Sequence, residues 1–287
     1  MSAGPPRIGA AAPRLPVGTR LTVLRARLTV LRYAILAGLA DYGTMYTWRT
    51  WLAGWLSRVL CQVAFFALIG HLLGSAAATR YLLIGNAVMM AALESCFVTA
   101  STAWERWSGT LPLLVASPAD PLLAFAGRSL FWLGTGTCTA SVSLFALAPL
   151  FGVSLPFPAA LLTVPLITLT GTSTYCFALV LGGLVLRATE ARNLVGNVAH
   201  LSIMAICGVQ VPVGFWPAPV RMVADVLPGT HGLAALRILL DGGAAGDVVT
   251  GAALECAVAA GWFALAAVTF RWFAERGRRD GSIEFGD

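Results

Sequence analysis

The sequence predicts an all-α polytopic membrane protein. It has six transmembrane helices, an N-terminal amphipathic interfacial helix, and outer re-entrant helices between spans five and six. Three observations predict it. First, hydrophobic residues make up 58% of the 287 and charged residues only 11%, while a soluble domain carries roughly 25% charged residues. The mean hydropathy of +0.80 agrees. Second, six stretches are apolar over the ~20 residues that a bilayer crossing needs. Third, the arginines fall almost entirely on one side of those stretches. The composition excludes an ordinary cytosolic enzyme, a disordered tail and a disulfide-knit secreted module.

The spans are predicted at 51–74, 81–103, 122–150, 159–186, 193–216 and 248–270. Spans three and four are separated only by the Pro/Gly-rich run 151–158, which reads as a tight turn between antiparallel helices. With the N-terminus placed in the cytoplasm, 15 arginines lie inside. Only Arg80, Arg221 and Arg237 lie outside, and Arg58 sits within the first span. The positive-inside rule therefore places both termini in the cytoplasm of a plasma-membrane protein. The first long apolar run begins near Trp51, too far in for a signal peptide. The chain divides into a flexible tail (1–16), an amphipathic connecting helix (17–50), the six-span domain (51–270) and a cytoplasmic tail (271–287).

Residues 20–32 contain the unit Arg-Leu-Thr-Val-Leu-Arg twice, offset by seven. At about 100° per residue, Leu21, Leu24, Leu28, Leu31 and Ile35 share one stripe. Arg20 and Arg27 border it on one side, Arg25 and Arg32 on the other. Leucines facing down with arginines snorkelling at the edges describe a helix in the headgroup plane. A coiled coil would need more than two heptads.

The short connection between spans two and three, 104–121, is rich in large apolar residues, with Leu111, Leu114 and Val115 at helical spacing. Such residues on a short loop mark either a docking surface or a plain interfacial connector. Arg58, Glu94, Arg128 and Glu255 lie within spans, where charges are costly and usually paired or functional. Counting about 1.5 Å per residue, the first three reach similar depth, and a salt-bridged cluster is expected there. Bundle stabilisation, gating and substrate contact all remain open for it. The six cysteines have no metal-ligand spacing and read as packing residues. His71, His200 and His231 are isolated.

Glu105-Arg106, Gly109-Thr110-Leu111, Leu114 and Ser117-Pro118 together resemble the signature of type-2 ABC exporter permeases. That family includes daunorubicin-type drug exporters and O-antigen and teichoic-acid exporters. A second match follows about 90 residues on, in 207–212, Trp216-Pro217, Arg221, Leu227-Pro228, His231-Gly232 and Ala235-Leu236-Arg237. Cys207 stands where the family usually has Ser, and Leu227 where Asn is common before Pro228. The resemblance covers about 50–287. It implies that the loop after span two is a coupling helix on a separate ATPase subunit, carried by Glu105, Arg106, Gly109, Thr110, Leu111, Leu114, Ser117 and Pro118. It also implies that the N-terminal helix contacts that ATPase. The stretch with Pro212, Trp216, Pro217, Pro228 and Arg237 would form short helices dipping back from the outer face.

The chain contains no lysine, so it lacks the phosphate-binding residue of a P-loop. It has no cofactor or metal of its own, and ATP and Mg belong to the partner ATPase. A second permease, identical or related, completes the pathway, and membrane lipid surrounds it. Nucleic acid is not a partner. The expected function is ATP-driven export of a hydrophobic or amphipathic small molecule: a drug, antibiotic or lipid. The alternatives are export of a lipid-linked polysaccharide or glycolipid, and, from another class, a membrane-embedded enzyme or a scaffold. No nucleophile–base pair favours an enzyme.

Overall fold

The computed structural model describes residues 17–107, 120–185 and 189–280. The expected N-terminal tail 1–16 lies outside the described residues, as do 108–119, 186–188 and residues 281–287 of the expected C-terminal tail 271–287, whose first ten residues continue α9. The described chain is helical almost throughout. Helix α1 spans Val17–Met45, α2 Trp48–Leu72 and α3 Ala76–Trp107. Helix α4 is Pro121–Leu150, interrupted only at Leu130, and α5 is Ala159–Val185. Then come α6 Arg192–Ile206, α7 Ala218–Val226, α8 Thr230–Leu240 and α9 Ala245–Asp280.

Local chemistry sets several boundaries. Asp120 caps α4, accepting from the Leu122 N–H at 3.1 Å, and Pro121 occupies the first turn, where its missing N–H costs nothing. The chain reverses between α4 and α5 through Phe151 and Gly152, as the Pro/Gly run predicts. Helix α2 opens with a wide π-helical turn at Trp51–Leu56, which rotates every later residue of that helix relative to ideal α spacing.

Among the described residues, five helices are long and apolar enough to cross a membrane: α2, α3, α4, α5 and α9. Helices α3 and α5 form the centre. The best apolar window of α3 is 83% buried, against 22% for α2 and for α9. One core cluster joins α2, α3, α4, α5, α6 and α8 around Leu83, Met90, Leu144, Ile167 and Leu236. A second joins α5 and α9 around Leu179 and Phe270. The outward sides of α2 and α9 carry Phe65, Leu68, Phe263 and Val268, which are exposed. Without water at the helix surface, such residues meet lipid or another membrane helix. The protein is a multi-pass membrane protein.

The predicted fifth span is shorter than expected. The helix stops at Ile206 instead of continuing to 216, so it is about 22 Å long, against a hydrocarbon core of about 30 Å. Its end is marked by Gly208, at φ +83°, where only glycine is unstrained. Helices α7 and α8 then form a pair bent by 89°, a broken span or a re-entrant loop, at the place where re-entrant helices are expected.

Candidate functional site

The α7–α8 hairpin breaks the helical backbone deep in the bundle. Gly85 lies nine residues into α3, about 14 Å from its start, and the Val209 carbonyl packs so closely on it that a Cβ there would lie 2.2 Å from the oxygen. Glu255 is ten residues into α9, about 15 Å from its start. Irregular backbone at that depth must have its polar groups satisfied by protein.

Two charged residues do so, and their signs match the helix ends they serve. Arg237 meets the carbonyl end of α6. Its Nη1 donates to the Gly208 carbonyl at 2.7 Å, and its Nη2 to the carbonyls of Tyr81 (3.1 Å) and Val209 (3.3 Å). The guanidinium lies 3.5 Å from the centre of the Tyr81 ring, and the Tyr81 hydroxyl also donates to the Gly208 carbonyl at 2.7 Å. Glu255, fully buried, meets the amide end of α8. Its two oxygens accept from the Gly229 and Gly232 N–H groups, each at 2.8 Å. A cation at a helix C-terminus and an anion at a helix N-terminus both oppose the local dipole. The far end of α8 is held by Arg80, which donates to the Leu240 carbonyl at 2.6 Å and pairs with Asp241 at 2.9 Å.

At the opposite end of the bundle, α1 lies on the start of α4. Gly38 is buried so closely against α4 that a Cβ would lie 2.0 Å from the Arg128 carbonyl oxygen. One turn along, Gly127 faces Ala34 and Leu31. Arg128 reaches back to Asp41 of α1 at 2.7 Å. Tyr42 packs on Phe131 and Trp132 at centroid distances of 5.0 and 6.1 Å. Burial pushes the Tyr42 hydroxyl pKa up to about 12.

This arrangement corrects the expected cluster of Arg58, Glu94 and Arg128. Arg128 pairs with Asp41, and Glu94 accepts from the Trp55 indole N–H at 2.8 Å. Arg58 lies over the Trp55 ring at 5.1 Å on an exposed surface. An indole thus stands where a guanidinium was expected. The aromatic rings continue from Trp55 through Phe97 to Trp132, at 5.5 and 5.0 Å, and on to Tyr42 and Tyr46.

Glu105 and Arg106 belong to the last turn of α3, with side chains outside the described ones; Gly109, Thr110, Leu111, Leu114, Ser117 and Pro118 lie outside the described residues altogether. In α1 the side chains of Arg20, Leu21 and Leu24 are likewise outside them. Arg25, Arg27 and Arg32 are exposed as expected. Leu28 is 56% exposed, while Leu31, Ala34 and Gly38 face α4, so the protein-facing row starts later and runs on to Asp41. Pro217 stands just before α7, Pro228 is buried at the α7–α8 bend, and Pro212 and Trp216 lie in the α6–α7 connection.

Asp41, Trp55 and Tyr81 carry contacts that no sequence motif predicts. Asp41 carried a signal, as the one acidic residue on a long, otherwise arginine-bordered helix. All six cysteines are free, three of them buried.

Among curated proteins and among solved structures, nothing matches the chain. A family model described as ABC-2 type transporter matches residues 38–240. The match runs from the α1 residue that touches α4, through the core spans, to the last residue of the re-entrant hairpin. The chain belongs to the ABC-2 type transporter family and is its membrane-spanning permease component.

Proposed function

We propose that this permease drives ATP-dependent export of an amphipathic, weakly charged small molecule. It works as one of two permeases joined to separate ATPase subunits, with both termini in the cytoplasm. The observation that carries the reading is the seating of α1 on α4. The residues proposed to dock on the ATPase, from Glu105 to Pro118, lead directly into Asp120 and α4. The connecting helix is fastened to the first turns of that same helix through Gly38, Arg128 and Asp41. A push on the loop and a push on α1 therefore arrive at one place. From there α4 packs along α3, whose buried face carries the rest of the bundle. Rigid-body tilting of packed helices suits the switch between inward- and outward-facing states.

The absence of lysine supports placing hydrolysis on a partner. The aromatic band from Tyr46 to Trp55 supports a cargo with apolar and ring surfaces. The test is co-purification of the full-length chain with candidate ATPases, followed by vesicle transport of amphipathic dyes. The reading predicts a stable complex whose transport is lost in G109P and L111D. If no ATPase is retained, or if both variants transport normally, the reading fails. Selective transport of a lipid-linked glycan over the dyes would reassign the cargo.

A further inference from the structure

At the end of the bundle away from α1, a cavity of about 830 Å³ opens between the α2–α3 connection, the α4–α5 turn and the end of α8. That volume is within the ~300–1,000 Å³ of small-ligand sites. The transmembrane segments end around it, at Leu72, Ala76 and Leu150, so it sits at headgroup level. Its wall holds two arginines, Arg80 and Arg237, and one carboxylate, Asp241. The carboxylate pairs with Arg80. Arg237 is bonded only to carbonyls and the Tyr81 ring, none of which carries charge. The wall therefore has one positive charge in excess. The accessible part of the Arg80 side chain, 31% exposed, and a net positive charge in a roomy cavity describe a receptor for an anionic oxygen cluster, the chemistry that guanidinium groups recognise best.

We infer that this cavity is a binding site for a net-anionic phosphate group, taken either from a lipid headgroup or free from solution. Arg80 is the recognising residue, because its side chain is 31% exposed and only one carboxylate shares it. Arg237 supplies field, since its Nη atoms are committed to the hairpin backbone. Asp241 opposes the anion and sets the threshold for binding. Because the wall joins the end of α8 to the start of α3, an occupant would brace the re-entrant hairpin against the central helix. This inference concerns a site separate from the proposed cargo path and stands whether or not that path is correct.

The test uses the purified full-length chain in detergent, titrated with phosphatidylglycerol or phosphatidylcholine and read by native mass spectrometry. Inorganic phosphate is added in a parallel titration. The expected result is selective retention of phosphatidylglycerol, weakened about tenfold in R80Q, the scale of one charge-assisted contact, and strengthened in D241N. S154W, placed in the exposed turn that lines the cavity, fills the space while leaving both arginines intact, and should abolish the selectivity. Displacement of the lipid by phosphate supports a general phosphate site; binding of lipid alone supports a headgroup site. Equal retention of the two lipids overturns the inference. So does unchanged selectivity in both R80Q and S154W.

Discussion

Glu255 of α9 holds Gly229, the residue at the bend of the re-entrant hairpin, through an N–H···O bond of 2.8 Å, and its second oxygen takes the Gly232 N–H. The carboxylate thereby replaces the missing first turn of α8. Gly229 has φ +95°, so the bend leaves its amide pointing away from any helical partner, and water is not available at this depth. Removing the carboxylate orphans two buried amides, each costing about 1–3 kcal/mol. E255A should lower the thermal unfolding midpoint of the purified protein markedly. E255Q should fall between it and wild type, because one amide oxygen can serve one of the two donors. Equal midpoints for all three would mean that the hairpin finds other partners.

Arg237 does the reverse task, donating to three carbonyls from a planar fork while its face covers Tyr81. Lysine has no such fork and cannot stack. R237K should therefore behave nearly as badly as R237A, each orphaning the Val209 carbonyl at about 1–3 kcal/mol, while Gly208 keeps the Tyr81 hydroxyl and the Tyr81 carbonyl keeps its place in α3. Hydrogen exchange at 207–212 checks this, since faster exchange should be confined to that segment.

The Asp41–Arg128 pair is a different case. Both side chains are partly exposed, at 51% and 31%, so their attraction is screened and contributes about 0.5 kcal/mol. Its importance is positional. D41R and R128D alone should each weaken export, and the double swap should restore most of it. Pairing R128E with E94R should not, because Glu94 is bonded to Trp55.

Much of this fold was legible from hydropathy, arginine placement and proline. The long spans, the α4–α5 reversal and the hairpin near Pro212–Pro228 all follow from them. The Glu94 environment did not. Counting residues from a span end measures depth but says nothing about the direction a side chain faces. In α2 the π-helical turn at Trp51–Leu56 shifts that direction further. The end of α6 at Ile206 is marked by Gly208, but apolar Val209, Val211 and Val213 recur beyond it despite Gln210 and Pro212, so hydropathy alone carries the span too far. Asp41 lies beyond the amphipathic pattern at 20–32, so that pattern does not point to it.

Tyr42 links α1 to alkaline stability. Burial beside Phe131 and Trp132 holds its pKa near 12, above the ordinary value of 10.0. The folded state thus favours the neutral phenol. The stabilisation is fully present below pH 10 and is lost as pH rises through 12. Tyr42 is only half-buried, so the effect is modest. Alkaline titration of the purified protein should show α1 becoming protease-sensitive between those values. Y42F should shift that transition upward, since it keeps the ring contacts and removes the titrating group. An unshifted transition would assign the alkaline release to another residue.

Gly38 offers the sharpest test of coupling through α1. A Cβ at this position would sit 2.0 Å from the Arg128 carbonyl oxygen, which is backbone and cannot rotate aside. Normal contact distance requires the helices to part by more than about 1 Å, at a cost of about 1–3 kcal/mol. Gly43, on the same helix, has nothing within 4 Å of a built Cβ, and alanine there should add helix propensity without contact. If α1 and the loop after α3 act on α4 together, G38A should leave ATP hydrolysis by the bound ATPase running while export falls. G43A should match wild type in both. A G38A protein that exports normally would show that α1 anchors the permease without transmitting motion. Equal losses in G38A and G43A would point to general destabilisation of α1, which thermal unfolding of the two variants would reveal directly.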